Sequence, residues 1–113
     1  MTAGEFDLID RIRRRAATTR GDVLLGIGDD AALLQVPAGQ ALVVATDTLN
    51  AGVHFPTETA PADIGWKALA VNLSDLAAMG AQPAWCMLSL SLPEGEPDWL
   101  EAFLEGFLSL IHI

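Results

Sequence analysis

The sequence predicts an α/β domain: a mixed sheet with helices on one face. Three observations carry this. Helix-type and strand-type patterns alternate along the chain in the order helix, strand, strand, helix, strand, helix. Residues 41–47 and 84–92 read as strands buried on both faces. With 51% hydrophobic residues in 113, the chain can fill one core at the commonest domain size.

The elements follow in order. Residues 5–15 read as a helix, with Phe6, Ile9 and Ile12 at three-residue spacing and arginines in the last turn. Residues 18–22 are a polar break. Val23-Leu24-Leu25 is extended and runs into the glycine-bracketed turn Gly26-Ile27-Gly28-Asp29-Asp30. Residues 31–36 are apolar, and Pro37-Ala38-Gly39 is a turn. Residues 41–47 are the best strand, apolar until they end in Thr46-Asp47. A loop over 48–59 carries Gly52, His54 and Pro56. The best helix spans about 61–79, with Pro61 in its first turn, Asp63 complementing its N-terminus and Gly80 ending it. Residues 84–92 form the next strand, stopped at 93–97. The last helix begins near Asp98, with Trp99, Phe103, Phe107 and Leu110 on one face. The chain halts within an apolar pattern at 109–113, as a piece of something longer does.

Composition excludes several function classes. Fifteen acids against six bases give a net charge of -9, which argues against a nucleic-acid partner. No apolar run approaches the ~20 residues that cross a bilayer, so no membrane partner is expected. The N-terminus lacks a basic segment followed by an apolar one, and a cytoplasmic location is expected. The lone Cys86 can form no internal disulfide and reads as a buried small hydrophobe. Charge is also lopsided. Arg11, Arg13, Arg14, Arg15 and Arg20 lie in the first twenty residues, and Lys67 is the sole base beyond them. The arginine cluster reads as a solvated helix end, with phosphate binding the lesser alternative.

Four acids do not read as ordinary surface. Asp29 and Asp30 follow Gly-Ile-Gly, Asp47 ends the strongest strand, and Asp75 falls on the helical stripe Ile64, Ala68, Val71, Asp75. A carboxylate on a core-facing stripe is costly unless paired or metal-bound. In a chain short of cations, magnesium is the economical partner, because it takes hard oxygen ligands and completes its shell with water and phosphate. Acids at a glycine turn, a strand end and a helix suit a metal–phosphate site. Each residue has an ordinary reading as well. Asp29-Asp30 serves as turn chemistry, Thr46-Asp47 as a strand cap, and Asp75 as a partner for a loop amide or an N-terminal arginine. His54 either donates to a phosphate oxygen or packs beside Phe55. Trp66, Trp85 and Trp99 read as core or interface packing. Gly26-Ile27-Gly28 is neither a Walker loop nor a dinucleotide fingerprint.

Several segments, in this order, resemble the N-terminal half of the thiamine-monophosphate kinase family, within the wider aminoimidazole-ribonucleotide-synthetase-like superfamily. They are Gly4-Glu5-Phe6 with Leu8-Ile9; Gly26-Ile27-Gly28-Asp29-Asp30-Ala31-Ala32-Leu33; Thr46-Asp47-Thr48-Leu49 with Gly52-Val53-His54-Phe55; and residues 67–81, with Asn72-Leu73-Ser74-Asp75 at their centre. The resemblance implies a magnesium-dependent transfer of the ATP γ-phosphoryl to thiamine monophosphate, giving thiamine diphosphate. It implies Asp30, Thr46, Asp47 and Asp75 as magnesium ligands and His54 as a contact to the thiamine phosphate. It implies in-line transfer, with no residue needed to form a covalent intermediate. It also implies that residues 1–113 are an N-terminal ATP- and magnesium-binding domain whose sheet joins that of a second subunit in a homodimer. The C-terminal domain and most ATP contacts are then expected to lie beyond residue 113, so this chain alone is expected to be inactive. One departure is Ala45, where family members often carry a serine; it offers a metal no oxygen.

Two alternatives stand beside this reading. One is another ATP-dependent synthetase of the same superfamily, acting on a purine precursor or making selenophosphate, although no cysteine lies near a glycine-rich N-terminus. The other is a non-catalytic dimerisation module, which is expected to have lost the ligands that Asp30, Asp47 and Asp75 retain.

Overall fold

The computed structural model describes residues 4–16, 20–92 and 97–111. The polar break at Thr18, the turn residues 93–96 and the end at 112–113 lie outside the described residues. The elements are α1 (Glu5–Arg15), β1 (Val23–Leu25), β2 (Leu33–Leu34), α2 (Pro61–Ala78) and α3 (Pro97–Ser109). The α/β class holds, around a sheet of two antiparallel strands that pair Val23 with Leu34 and Leu25 with Leu33. None of the described helices is long and apolar enough to cross a membrane.

The core is built by α2 and α3. Ile64 and Leu69 of α2 bury against Leu100, Phe103, Leu104, Phe107 and Leu108 of α3. Trp99, Phe103 and Phe107 stack in series, with ring centroids 5.3 and 5.8 Å apart. Two glycines let the helices touch. A Cβ on Gly65 would lie 2.1 Å from the Phe103 carbonyl oxygen, and one on Gly106 only 1.8 Å from that of Ala62. The helix ends follow local chemistry. Pro61 opens α2, where a missing N–H costs nothing. At the far end Gly80, at φ 67°, turns the chain, so that the Gly80 and Ala81 amides donate to the carbonyls of Ala77 and Leu76.

Three expectations about packing are corrected. Phe6 is 82% exposed, and Leu8 and Ile12 of α1, with Ala16 just after it, pack against the core instead. This four-residue spacing follows a helical face better than spacing by threes. Asp75 is exposed, because the buried positions of α2 all fall between 64 and 69, where α3 crosses it. Trp66 is about half exposed, while Trp85 and Trp99 are half-buried.

Residues 41–47 and 84–92, the expected strong strands, take no part in any strand pair of the described residues. Apolar content makes a segment eligible for a sheet, but a neighbour must still accept its N–H and C=O groups. Without one, Leu42, Val44 and Met87 stay open to solvent. Cys86 likewise lies exposed rather than buried, although neighbouring atoms still desolvate its sulfur enough to push the thiol pKa up.

Candidate functional site

The turn between β1 and β2 carries Asp29 and Asp30. Gly28 sits at φ 107°, a conformation that favours glycine, and turns the chain so that both acids face solvent. Asp29 Oδ1 accepts a 2.9 Å bond from the Asp30 amide, so the turn reading holds for Asp29, and Asp30 keeps its carboxylate outward. Thr46 and Asp47 lie exposed at the end of the unpaired segment 41–47.

The loop that follows is tightly organised around His54. The Asn50 carbonyl accepts from the amides of Val53 at 3.1 Å and His54 at 2.9 Å, and the Gly52 amide donates to the Phe55 carbonyl at 2.7 Å. Phe55 turns toward the core while His54 stays exposed, so the two side chains part company. The Asn50 amide donates to His54 Nδ1 at 2.8 Å. A neutral imidazole accepting at Nδ1 carries its proton on Nε2, which leaves that N–H free to donate to an anion. From α2, Lys67 Nζ donates to the His54 carbonyl at 2.5 Å. Sequence reasoning missed both Asn50 and Lys67. The isolation of Lys67 in an acidic body was the available signal.

At the N-terminal end, Arg11 and Arg15 both reach Glu101 of α3, and Arg13 and Arg14 share Asp10. Arg11, Arg14, Arg15 and Glu101 line an open cavity of about 260 Å³. The hydrogen bond from Arg13 holds the Asp10 carboxyl below its usual range. Arg20 grips Asp22 through two bonds and lies over the Trp85 ring, 5.8 Å from its centroid. This grip pulls the Asp22 pKa down to about 2. The Trp85 indole N–H, buried with no partner in bonding geometry, adds a weaker pull in the same direction.

The donor set Asp30, Thr46, Asp47 and Asp75 has the hard-oxygen chemistry that magnesium prefers. The geometry does not gather it. Among the described residues, no three Asp, Glu, His or Cys side chains lie close enough to hold an ion. Asp47 rides on a segment with no strand neighbour, and Asp75 lies beyond the part of α2 that α3 fixes. The donors therefore fit the ion in kind and not in placement.

Residues 28–112 match the AIR synthase related protein, N-terminal domain. That is most of the chain, and the chain belongs to this family. It is 55% identical to thiamine-monophosphate kinase of Salmonella typhimurium over 112 residues, which are 99% of this chain and 34% of that protein. It is 54% identical, at the same coverage, to the enzyme of that name from Escherichia coli K12. Among solved structures, it resembles the crystal structure of thiamine-monophosphate kinase from Stenotrophomonas maltophilia K279a, with TM-score 0.81 and 67% identity. That match covers 99% of this chain and 35% of the other. The chain thus spans about a third of the length of the relatives it matches.

Proposed function

We propose that residues 1–113 are the N-terminal domain of a cytoplasmic thiamine-monophosphate kinase, which transfers the ATP γ-phosphoryl to thiamine monophosphate. The observation that carries this reading is the 67% identity, over nearly the whole chain, to a solved structure of that name. We further propose that the domain contributes magnesium and ATP binding. Asp30, Thr46, Asp47 and Asp75 are the magnesium ligands once the segment ending in Asp47 is paired into a sheet. A divalent ion held by these residues would supply charge to screen the repulsion between the phosphates.

His54 contacts the substrate phosphate through Nε2–H, a reading supported by its exposure and by the Asn50 bond that occupies Nδ1. Two apolar segments, 41–47 and 84–92, are the surfaces offered to a second copy in a homodimer. The exposure of Leu42, Val44 and Met87 supports this assignment, since unpaired apolar strands call for a covering partner.

The test is an assay with ATP, magnesium and thiamine monophosphate, run on this chain and on the protein extended to the length of its relatives. The extended protein is expected to form thiamine diphosphate, and the 113-residue chain to form none above background. Failure of the extended protein to phosphorylate thiamine monophosphate would overturn the reading. Turnover by the short chain at a comparable rate would overturn the division of labour between domains.

A further inference from the structure

Lys67 is the sole Lys or Arg after Arg20, and its Nζ donates to a backbone oxygen, with no ion pair to a carboxylate among the described residues. The oxygen belongs to His54, thirteen positions earlier. The bond joins the 50–55 loop to α2 close to Ile64 and Leu69, in the part of the helix that α3 holds rigid. A charged donor on a carbonyl makes a bond roughly twice as strong as a neutral one. Three contacts then fix His54: Lys67 at its carbonyl, the Asn50 carbonyl at its amide, and the Asn50 amide at ring Nδ1. The remaining polar atom of the residue is Nε2.

We propose that Lys67 is a positioning residue for His54: by holding the His54 carbonyl it keeps Nδ1 turned to the Asn50 amide and leaves Nε2–H as the donor presented to a phosphate oxygen. The geometric part of this stands on the loop alone. Its meaning for substrate binding rests on the proposed role of His54 as the phosphate contact. Lys67 acts through the loop and donates nothing to the ligand itself. Removing its charge lets the loop rotate, so that Nδ1 and Nε2 exchange roles and the donor loses its fixed direction.

The test uses the isotopically labelled chain at about pH 8, above the ordinary imidazole range. NMR would read the His54 ring nitrogens and the exchange rate of the Asn50 amide in wild type, Lys67→Met and Lys67→Arg. Methionine keeps an apolar stem of similar length, and arginine restores a charged donor. Loss of one charge-assisted bond is expected to speed Asn50 exchange about tenfold or more in Lys67→Met. The ring nitrogen shifts should move toward an averaged pattern, and Lys67→Arg should recover most of both signals. The amides of Leu69 and Ala70 should exchange as in wild type, which separates positioning from a general loosening of α2. An unchanged Asn50 amide in Lys67→Met would overturn the proposal, as would an equal acceleration throughout α2.

In the extended protein, Lys67→Met is expected to raise KM for thiamine monophosphate about tenfold while leaving KM for ATP unchanged. If the NMR signals change as expected and neither KM moves, positioning by Lys67 stands and the substrate role of His54 falls.

Discussion

Asp22 accepts bonds from Arg20 Nε at 2.9 Å and Nη2 at 2.6 Å, and its pKa falls from the ordinary 3.8 to about 2. A carboxylate whose pKa is lower in the folded state stabilises that state when ionised. Its contribution is complete above about pH 4 and is lost as pH falls through about 2. Thermal midpoints measured across this window should therefore fall less steeply in Asp22→Asn than in wild type. The difference should shrink in high salt, because the pair is exposed to solvent. Identical slopes in the two proteins would show that the Arg20 grip adds nothing to folding. Such residue-scale chemistry was only half visible in the sequence. Arg20 and Asp22 are two positions apart, and Arg20 was read as part of a basic cluster. The bond from Lys67 to a backbone carbonyl thirteen residues away was invisible, since only the folded loop creates that acceptor. His54 was legible as a candidate; in the structure Phe55 packs toward the core and the imidazole stays exposed.

Among the elements, the crossing of α2 and α3 depends on two glycines rather than on the apolar stripes alone. A methyl group at position 106 would meet the Ala62 carbonyl oxygen at 1.8 Å and its carbon at 2.6 Å. These are backbone atoms, which cannot rotate aside as a side chain can. Gly106→Ala should therefore cost at least the ~1–3 kcal/mol typical of overpacking. Urea unfolding should read this as a lower midpoint at unchanged slope. Gly21→Ala is the control, since a Cβ there meets nothing within 4 Å. Equal midpoints for the two variants would mean that the helices do not approach so closely. The three helices were legible because their signals are local: Pro61 and Gly80 bracket α2, and aromatic residues recur along one face of α3. Of the three-residue spacing read for α1, Ile12 packs against the core and Phe6 does not, while Leu8 and Ala16 do. Residues 41–47 and 84–92 carry strand chemistry without a strand partner, and no property of a segment by itself reports whether a neighbour is present.

At the scale of the whole molecule, the apolar burial is concentrated between two helices, and exposed apolar residues remain on β1, on β2 and on the two unpaired segments. The acidic body has a net charge of -9 and keeps Asp30, Asp47 and Asp75 on its surface, in no group of three that could hold an ion. The donor types were legible because hard-oxygen ligands can be read residue by residue. Their placement was not, because it depends on where segment 41–47 is seated. The central claim is that these three carboxylates hold divalent metal together in the assembled enzyme. The most direct measurement is a manganese titration of the extended protein, followed by electron paramagnetic resonance, in wild type, Asp30→Asn, Asp47→Asn and Asp75→Asn. Each substitution is expected to weaken binding about tenfold or more, the scale on which even supporting groups around a metal act. Wild-type affinity in all three variants would contradict the claim.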